Sequence, residues 1–123
     1  MRILITGGSR GIGKAMVERF STPENSVAFI YRSNHEAAKA LAESTGALPF
    51  CADLSAADEA KRAVAEAIEA LGGIDVLINN AGVSESTPFM EYTEETFDKV
   101  MDLNVKGVFN ATRVAADCMT ARG

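Results

Sequence analysis

Short apolar runs alternate along this chain with longer stretches whose apolar residues recur every three or four positions. The run "RILIT" (residues 2–6) is β-branched, too short for a helix and closed by Gly7-Gly8, so it predicts a buried parallel strand. Ile12, Ala15, Met16, Arg19 and Phe20 then form a helical stripe that stops at "STPENS", where Pro23 and Asn25 mark a turn. "VAFIY" (27–31) predicts a second strand, and Ser33 with Glu36 predicts a capping box at the start of a second helix. "LPFCA" (48–52) is a third strand whose Pro49 lacks an N–H donor, which suits an edge position. Ser55 and Asp58 are the expected cap of a third helix, in which Ala60, Val64, Ala67, Ile68 and Leu71 keep helical spacing until Gly72-Gly73 ends it. "IDVLIN" (74–79) predicts a fourth strand. Thr93, followed by Glu94 and Glu95, opens a short helix whose acids favour its positive end. The last helix is expected to present Val105, Val108, Phe109, Thr112, Ala116 and Met119 on one side.

Strands separated by helices in this order imply βαβ units and a parallel sheet. Right-handed crossovers then give an α/β fold, a three-layer, doubly wound, Rossmann-type sheet with strand order 3-2-1-4. Pro49 agrees, because strand three falls on an edge. No internal repeat or interdomain linker interrupts the pattern, so residues 1–123 read as one domain.

Composition removes several function classes. Hydrophobic residues make up 47% and charged residues 24% of the chain, as in soluble globular proteins. A net charge of −5, with the 12 basic residues scattered, gives no nucleic-acid footprint. No apolar run approaches the ~20 residues that span a bilayer, and no signal peptide precedes the first strand. Cys51 and Cys118 have no metal or redox spacing and read as free thiols of a reducing cytosol; the expected location is the cytoplasm, and no metal site is expected.

The candidate chemistry begins at "TGGSRGIG" (6–13), where strand one hands over to helix one. Gly7 permits the turn, Gly11 lets the backbone approach a phosphate, and Gly13 allows close packing of the helix. The helix N-terminus offers free N–H groups and a positive dipole end to a pyrophosphate. The loop residues Gly7, Gly8, Ser9, Arg10, Gly11, Ile12 and Gly13 are therefore the expected cradle of a dinucleotide. After strand two the chain reads Tyr31, Arg32, Ser33, with Arg32 where an acidic residue would favour the ribose of NAD. Arg32 and Ser33 can instead hold a 2′-phosphate by charge-assisted bonds, which predicts NADP(H) as cofactor.

The glycine spacing is G-x-x-x-G-x-G. Together with "NNAG" (79–82) and "LNVKG" (103–107), it resembles the short-chain dehydrogenase/reductase family, in register from residue 2 to about residue 120. Within that family the chain looks most like 3-oxoacyl-acyl-carrier-protein reductases and related ketone reductases. From the resemblance, Arg10 is expected close to the same 2′-phosphate. The resemblance implies that Asp53 and Leu54 of "ADLS" hold the adenine, although "DLS" also makes an ordinary turn before a helix. It implies that Asn80, Ala81 and Gly82 line the ribose, that Asn79 ties neighbouring strands together, and that Asn104 is the family's catalytic Asn, shaping a water relay.

The family's other catalytic residues are a Ser and a Tyr with a Lys four positions later. Here Tyr31 is followed at that distance by His35 and Tyr92 by Thr96; Lys106 belongs to the Asn motif, and His35 reads as solvated. The expectation is an incomplete domain, truncated after the helix that follows strand four, carrying the cofactor-binding half of an NADP-dependent reductase and inactive alone. The alternative is a non-catalytic nucleotide-binding module, pseudoenzyme or gene fragment. An unprotected edge on strand four and an apolar last helix predict self-association as a homodimer or higher oligomer through either surface.

Overall fold

Residues 1–83 and 87–122 are described by the structure, a computed structural model. Four parallel strands, β1 (Arg2–Thr6), β2 (Ser26–Tyr31), β3 (Leu48–Cys51) and β4 (Val76–Ile78), lie in the order β3-β2-β1-β4. Five α-helices join and follow them: α1 (Gly11–Phe20), α2 (His35–Thr45), α3 (Ala57–Leu71), α4 (Glu94–Met101) and α5 (Val108–Arg122). The expected fold and strand order are present.

The pleat of the sheet divides the core into two layers. Ile3 and Ile5 of β1 and Val27 and Phe29 of β2 face α1 and α2, where Val17, Ala38 and Leu41 meet them. Leu4, Ala28 and Ile30 point the other way, toward Ala60, Ala63, Val64 and Ala67 of α3 and Ala111 and Ala115 of α5. Because both faces are covered, the central strands carry unbroken apolar runs, Ile3–Ile5 and Val27–Ile30, without the alternation of a one-sided sheet. Pro49 lies on the edge strand β3, opposite Phe29, as its missing donor requires.

β4 is shorter than the run "IDVLIN" predicts. At its entry the Asp75 carboxylate accepts the Arg2 N–H at 2.7 Å, while the Asp75 N–H donates to the Arg2 carbonyl at 2.9 Å. At its exit the Asn80 and Ala81 N–H groups turn aside to the Thr6 hydroxyl, each at 3.0 Å. Side chains thus take over the ladder at both ends.

Two of the three expected caps are corrected. Asn34, not the Ser33–Glu36 box, caps α2, its Oδ1 accepting the Ala37 N–H at 3.0 Å. Ser33 sits one residue too early, and its carbonyl accepts from His35 N–H instead. At α3 the capping position is Ala56, with no side-chain cap; Ser55 is engaged by Asp53, and Asp58 and Glu59 supply negative charge in the first turn. Thr93 does cap α4, accepting the Thr96 N–H at 3.1 Å.

From Glu94 onward the chain winds continuously to Arg122, but residues Asp102–Gly107 form a widened, π-helical segment. This segment rotates α5 relative to α4. The packed side of α5 carries Ala111, Val114, Ala115, Cys118 and Met119, whose mostly small side chains let the helix close onto α3. Met119 is partly buried on that side, whereas Thr112 and Ala116, expected beside it, are exposed. Val105, Val108 and Phe109 remain exposed at 51%, 36% and 60%. No helix among the described residues is long and apolar enough to cross a membrane.

Candidate functional site

The loop after β1 takes its shape from three contacts. Gly7 and Gly11 adopt positive φ angles of 68° and 56°, which other residues resist. The Gly7 N–H donates to the Ile30 carbonyl at 2.8 Å, and the Gly7 carbonyl accepts from the Asn80 side-chain amide at 3.1 Å. A Cβ at Gly13 would collide with the Gly7 carbonyl, and one at Gly8 would collide with the Phe29 side chain. At Gly11 a Cβ would meet nothing within 4 Å, so the turn is open on the side that faces away from the protein.

Helix α1 begins here without a side-chain cap and without an acidic residue in its first turn. The helices α2, α3 and α4 each carry acid in theirs. The free N–H groups and positive end of α1 are thus left unmet by its own sequence.

A cavity of about 780 Å³ opens beside this end. Gly7, Ser9, Arg10 and Gly11 form one wall; Tyr31, Arg32, Ser33, Asp53 and Leu54 form a second; and Asn80, Ala81 and Gly82 form a third. Twelve of the expected site residues therefore meet around one space. Gly8 and Gly13 instead lie underneath as packing positions, Ile12 points outward at 74% exposure, and Asn104 stands behind Gly82. A smaller cleft of about 500 Å³ between Ser21 and Leu71 is lined by no charged side chain and offers an anion no countercharge.

Several residues that the sequence reading passed over hold this geometry. Buried Thr6 accepts two backbone N–H groups with one hydroxyl and so joins β1 to the loop after β4. A hydroxyl at the end of a fully buried strand was the available signal, since such a group requires partners. The Asn110 side chain donates to the Leu54 carbonyl at 3.0 Å, and Gly107 packs on Leu54, so α5 buttresses the "ADLS" turn. Among the described residues, the Asn79 amide donates to Thr112 of α5 at 3.0 Å, tying the end of β4 to a helix and not to a neighbouring strand.

Asn104 sits in the widened helical segment. Its Oδ1 accepts the Val83 N–H and its Nδ2 donates to the Val83 carbonyl, both at 2.8 Å. Gly82 allows this approach, since a Cβ there would stand 3.1 Å from the Asn104 Oδ1.

The charged rim is organised by Asp53. Its Oδ1 accepts from the Ser55 N–H at 3.0 Å and the Ser55 hydroxyl at 2.6 Å, while Oδ2 lies 3.5 Å from the Arg32 guanidinium. The Ser55 hydroxyl above all, with Arg32 assisting, holds the Asp53 carboxyl below its ordinary pKa. Nearby, Tyr31 shares a 2.9 Å hydrogen bond with His35 Nδ1, so His35 is partnered as well as exposed. Burial, with help from Cys51, raises the Tyr31 phenol above its usual range. No cluster of metal-ligating side chains occurs among the described residues.

Comparison with known proteins decides the relationship. The profile of the short chain dehydrogenases matches residues 1–123. The chain belongs to this family. Among similar curated proteins is an uncharacterized oxidoreductase of Mycobacterium bovis, 37% identical over 97% of this chain and 49% of its own length. The 3-oxoacyl-[acyl-carrier-protein] reductase FabG of Staphylococcus aureus is 36% identical over 94% of this chain and 49% of its own. A short chain dehydrogenase of Burkholderia cenocepacia, solved in complex with NADP, superposes with a TM-score of 0.91 at 34% identity, covering 95% of this chain and 50% of that one. The chain thus spans about half the length of these short-chain dehydrogenase relatives.

Proposed function

We propose that the cavity binds NADP(H) and that the chain forms the cofactor-binding half of an oxidoreductase that reduces ketones or 3-oxoacyl groups. The observation that carries this reading is the uncapped, acid-free start of α1 opening onto the same cavity as Arg10 and Arg32. A pyrophosphate fits the helix end and the open side of Gly11, and a 2′-phosphate fits the two guanidiniums with Ser9 and Ser33. Asp53 and Leu54 would hold the adenine, and Asn80, Ala81 and Gly82 the ribose. When bound, the nicotinamide supplies the hydride for carbonyl reduction. The NADP complex of the Burkholderia relative and the reductase named in Staphylococcus support the same assignment.

The chain's own residues would bind and orient. Asn104, with both side-chain amide atoms on Val83, acts as a positioning residue that holds the loop after Gly82. Carbonyl reduction also needs a proton donor of matched pKa, and neither tyrosine is followed by a lysine four positions later. The 123 residues alone are therefore expected to bind cofactor without turnover. The second reading is a nucleotide-binding module that does no chemistry. In either case we propose that the chain self-associates, through the free edge of β4 or the exposed apolar face that includes Val105 and Phe109.

Titrating NADPH, with NADH as control, tests the cavity. NADPH is expected to bind about tenfold tighter, the worth of a charge-assisted phosphate contact. Equal or stronger binding of NADH would refute the roles of Arg10 and Arg32. Following NADPH absorbance with ketones and 3-oxoacyl thioesters separates the two readings. Oxidation above the buffer rate would establish an enzyme; binding without oxidation would support the module.

A further inference from the structure

In the cavity described above, the arginine proposed to meet a 2′-phosphate already has an anionic neighbour. The Arg32 Nη2 stands 3.5 Å from Asp53 Oδ2, and both residues line the same space. The two ends of this pair are held very differently. Asp53 is fixed, because its Oδ1 accepts both the N–H and the hydroxyl of Ser55. Its own N–H donates to the Glu59 carboxylate at 3.2 Å, which anchors the turn to α3. Arg32 is anchored through its backbone, whose carbonyl accepts from the Cys51 thiol at 3.2 Å, while its side chain is 63% exposed. A fixed carboxylate thus holds an exposed guanidinium at the place where a phosphate would recruit it.

We infer that Asp53 is a specificity-determining residue that limits the preference for 2′-phosphorylated nucleotides by competing with the 2′-phosphate for Arg32. This inference rests on the NADP(H) reading of the cavity. A ligand that lacks the 2′-phosphate leaves the Arg32–Asp53 pair intact and bears no penalty. A ligand that carries it must draw Arg32 away. It succeeds because a dianionic phosphate accepts a guanidinium in bidentate fashion and more strongly than a single carboxylate oxygen at 3.5 Å. Solvent screens a pair this exposed, so its competition amounts to a factor of about two to five rather than a block.

The experiment compares 2′,5′-ADP with 5′-ADP by calorimetric titration of the full chain, for the wild type, Asp53→Asn, Arg32→Gln and the double variant. Asparagine keeps the Oδ1 acceptor for Ser55, so the turn survives and only the charge facing Arg32 is lost. Any loss of adenine contact affects both ligands equally and cancels in the ratio of their dissociation constants. The expected result is a rise of about three-fold in 2′-phosphate preference for Asp53→Asn. No such rise is expected when the same change is made on the Arg32→Gln background. An unchanged or lowered preference in Asp53→Asn would overturn the inference while leaving the NADP(H) reading standing. An equal rise on both backgrounds would also overturn it, since it would show direct repulsion of the phosphate by Asp53 and no competition for Arg32. A wild type that does not distinguish the two ligands would instead refute the cofactor assignment beneath it.

Discussion

Thr6 shows how much of the site rests on one hydroxyl. It is 1% exposed and its oxygen accepts the N–H groups of Asn80 and Ala81. Replacing it with valine preserves volume and leaves two part-buried donors without that partner. Thr6→Val is therefore expected to destabilise the chain by about 2–4 kcal/mol in urea denaturation. Thr6→Ser keeps the oxygen and should cost about 1 kcal/mol for the lost methyl group. A loss in Thr6→Val no larger than that in Thr6→Ser would show that the hydroxyl contributes no more than the methyl. The glycine loop was legible in the sequence because each glycine answers a local demand, a positive φ or a close approach within a few residues. Thr6 was not legible, because its partners lie more than 70 positions away. Asn104 was legible by motif, but its engagement with Val83 across 21 positions was not.

At the scale of elements, the rod from Glu94 to Arg122 departs most from its sequence reading. A regular 3.6-residue period carried across "LNVKG" places Met119 with Val105 and Phe109. The widened turn over Asp102–Gly107 rotates α5 relative to α4, and within α5 the side that packs is the one bearing Ala111 and Ala115. Small residues win this contact because they allow α5 to approach α3 closely, while Phe109 would hold it away. The large side chains are left on the outer face, where Phe97, Met101, Val105 and Phe109 follow one another at four-residue steps and are 38–60% exposed. Burying such a stripe in a second copy is favourable by area alone. Sedimentation of the wild type at micromolar concentration is expected to show an oligomer. Val105→Ser with Phe109→Ser should shift it toward monomer and remove the dependence of the unfolding midpoint on protein concentration that an oligomeric wild type shows. A wild type that sediments as a strict monomer would refute self-association. Dissociation caused only by changes at the β4 edge would move the interface there.

For the whole molecule, the end of the sheet opposite the cavity is closed by charge. Arg2 pairs with Asp75 at 3.1 Å and donates to the Gly72 carbonyl at 2.7 Å, and Arg122 reaches the same carbonyl at 3.1 Å. These contacts join the first strand, the end of α3, the entry to β4 and the last helix. The Arg2 side chain, then its backbone N–H, lowers the Asp75 pKa to about 2. The folded value lies below the unfolded one of about 3.9, so the contribution of Asp75 is complete above roughly pH 4–5 and fades as pH falls through about 2. Asp75→Asn should therefore be less stable than the wild type at pH 7, and the difference between their urea midpoints should shrink between pH 4 and pH 2. A difference that stays constant across this range would mean that the carboxylate charge contributes nothing.

The sequence alone determined the α/β class, the strand order, the glycine loop at the start of α1, the edge position of Pro49 and the Thr93 cap. All of these follow from periodicity, turn chemistry or chirality, which act over a few residues or through general rules of connection. Tertiary structure alone decided which face of α5 is buried and what Thr6, Asn79 and Asn104 hold. It also brought Arg32 to Asp53 at the lip of the cavity. These outcomes depend on which partner arrives first in space: a side chain satisfied by a residue 20 or 70 positions away is withdrawn from the local role its own neighbours would have given it.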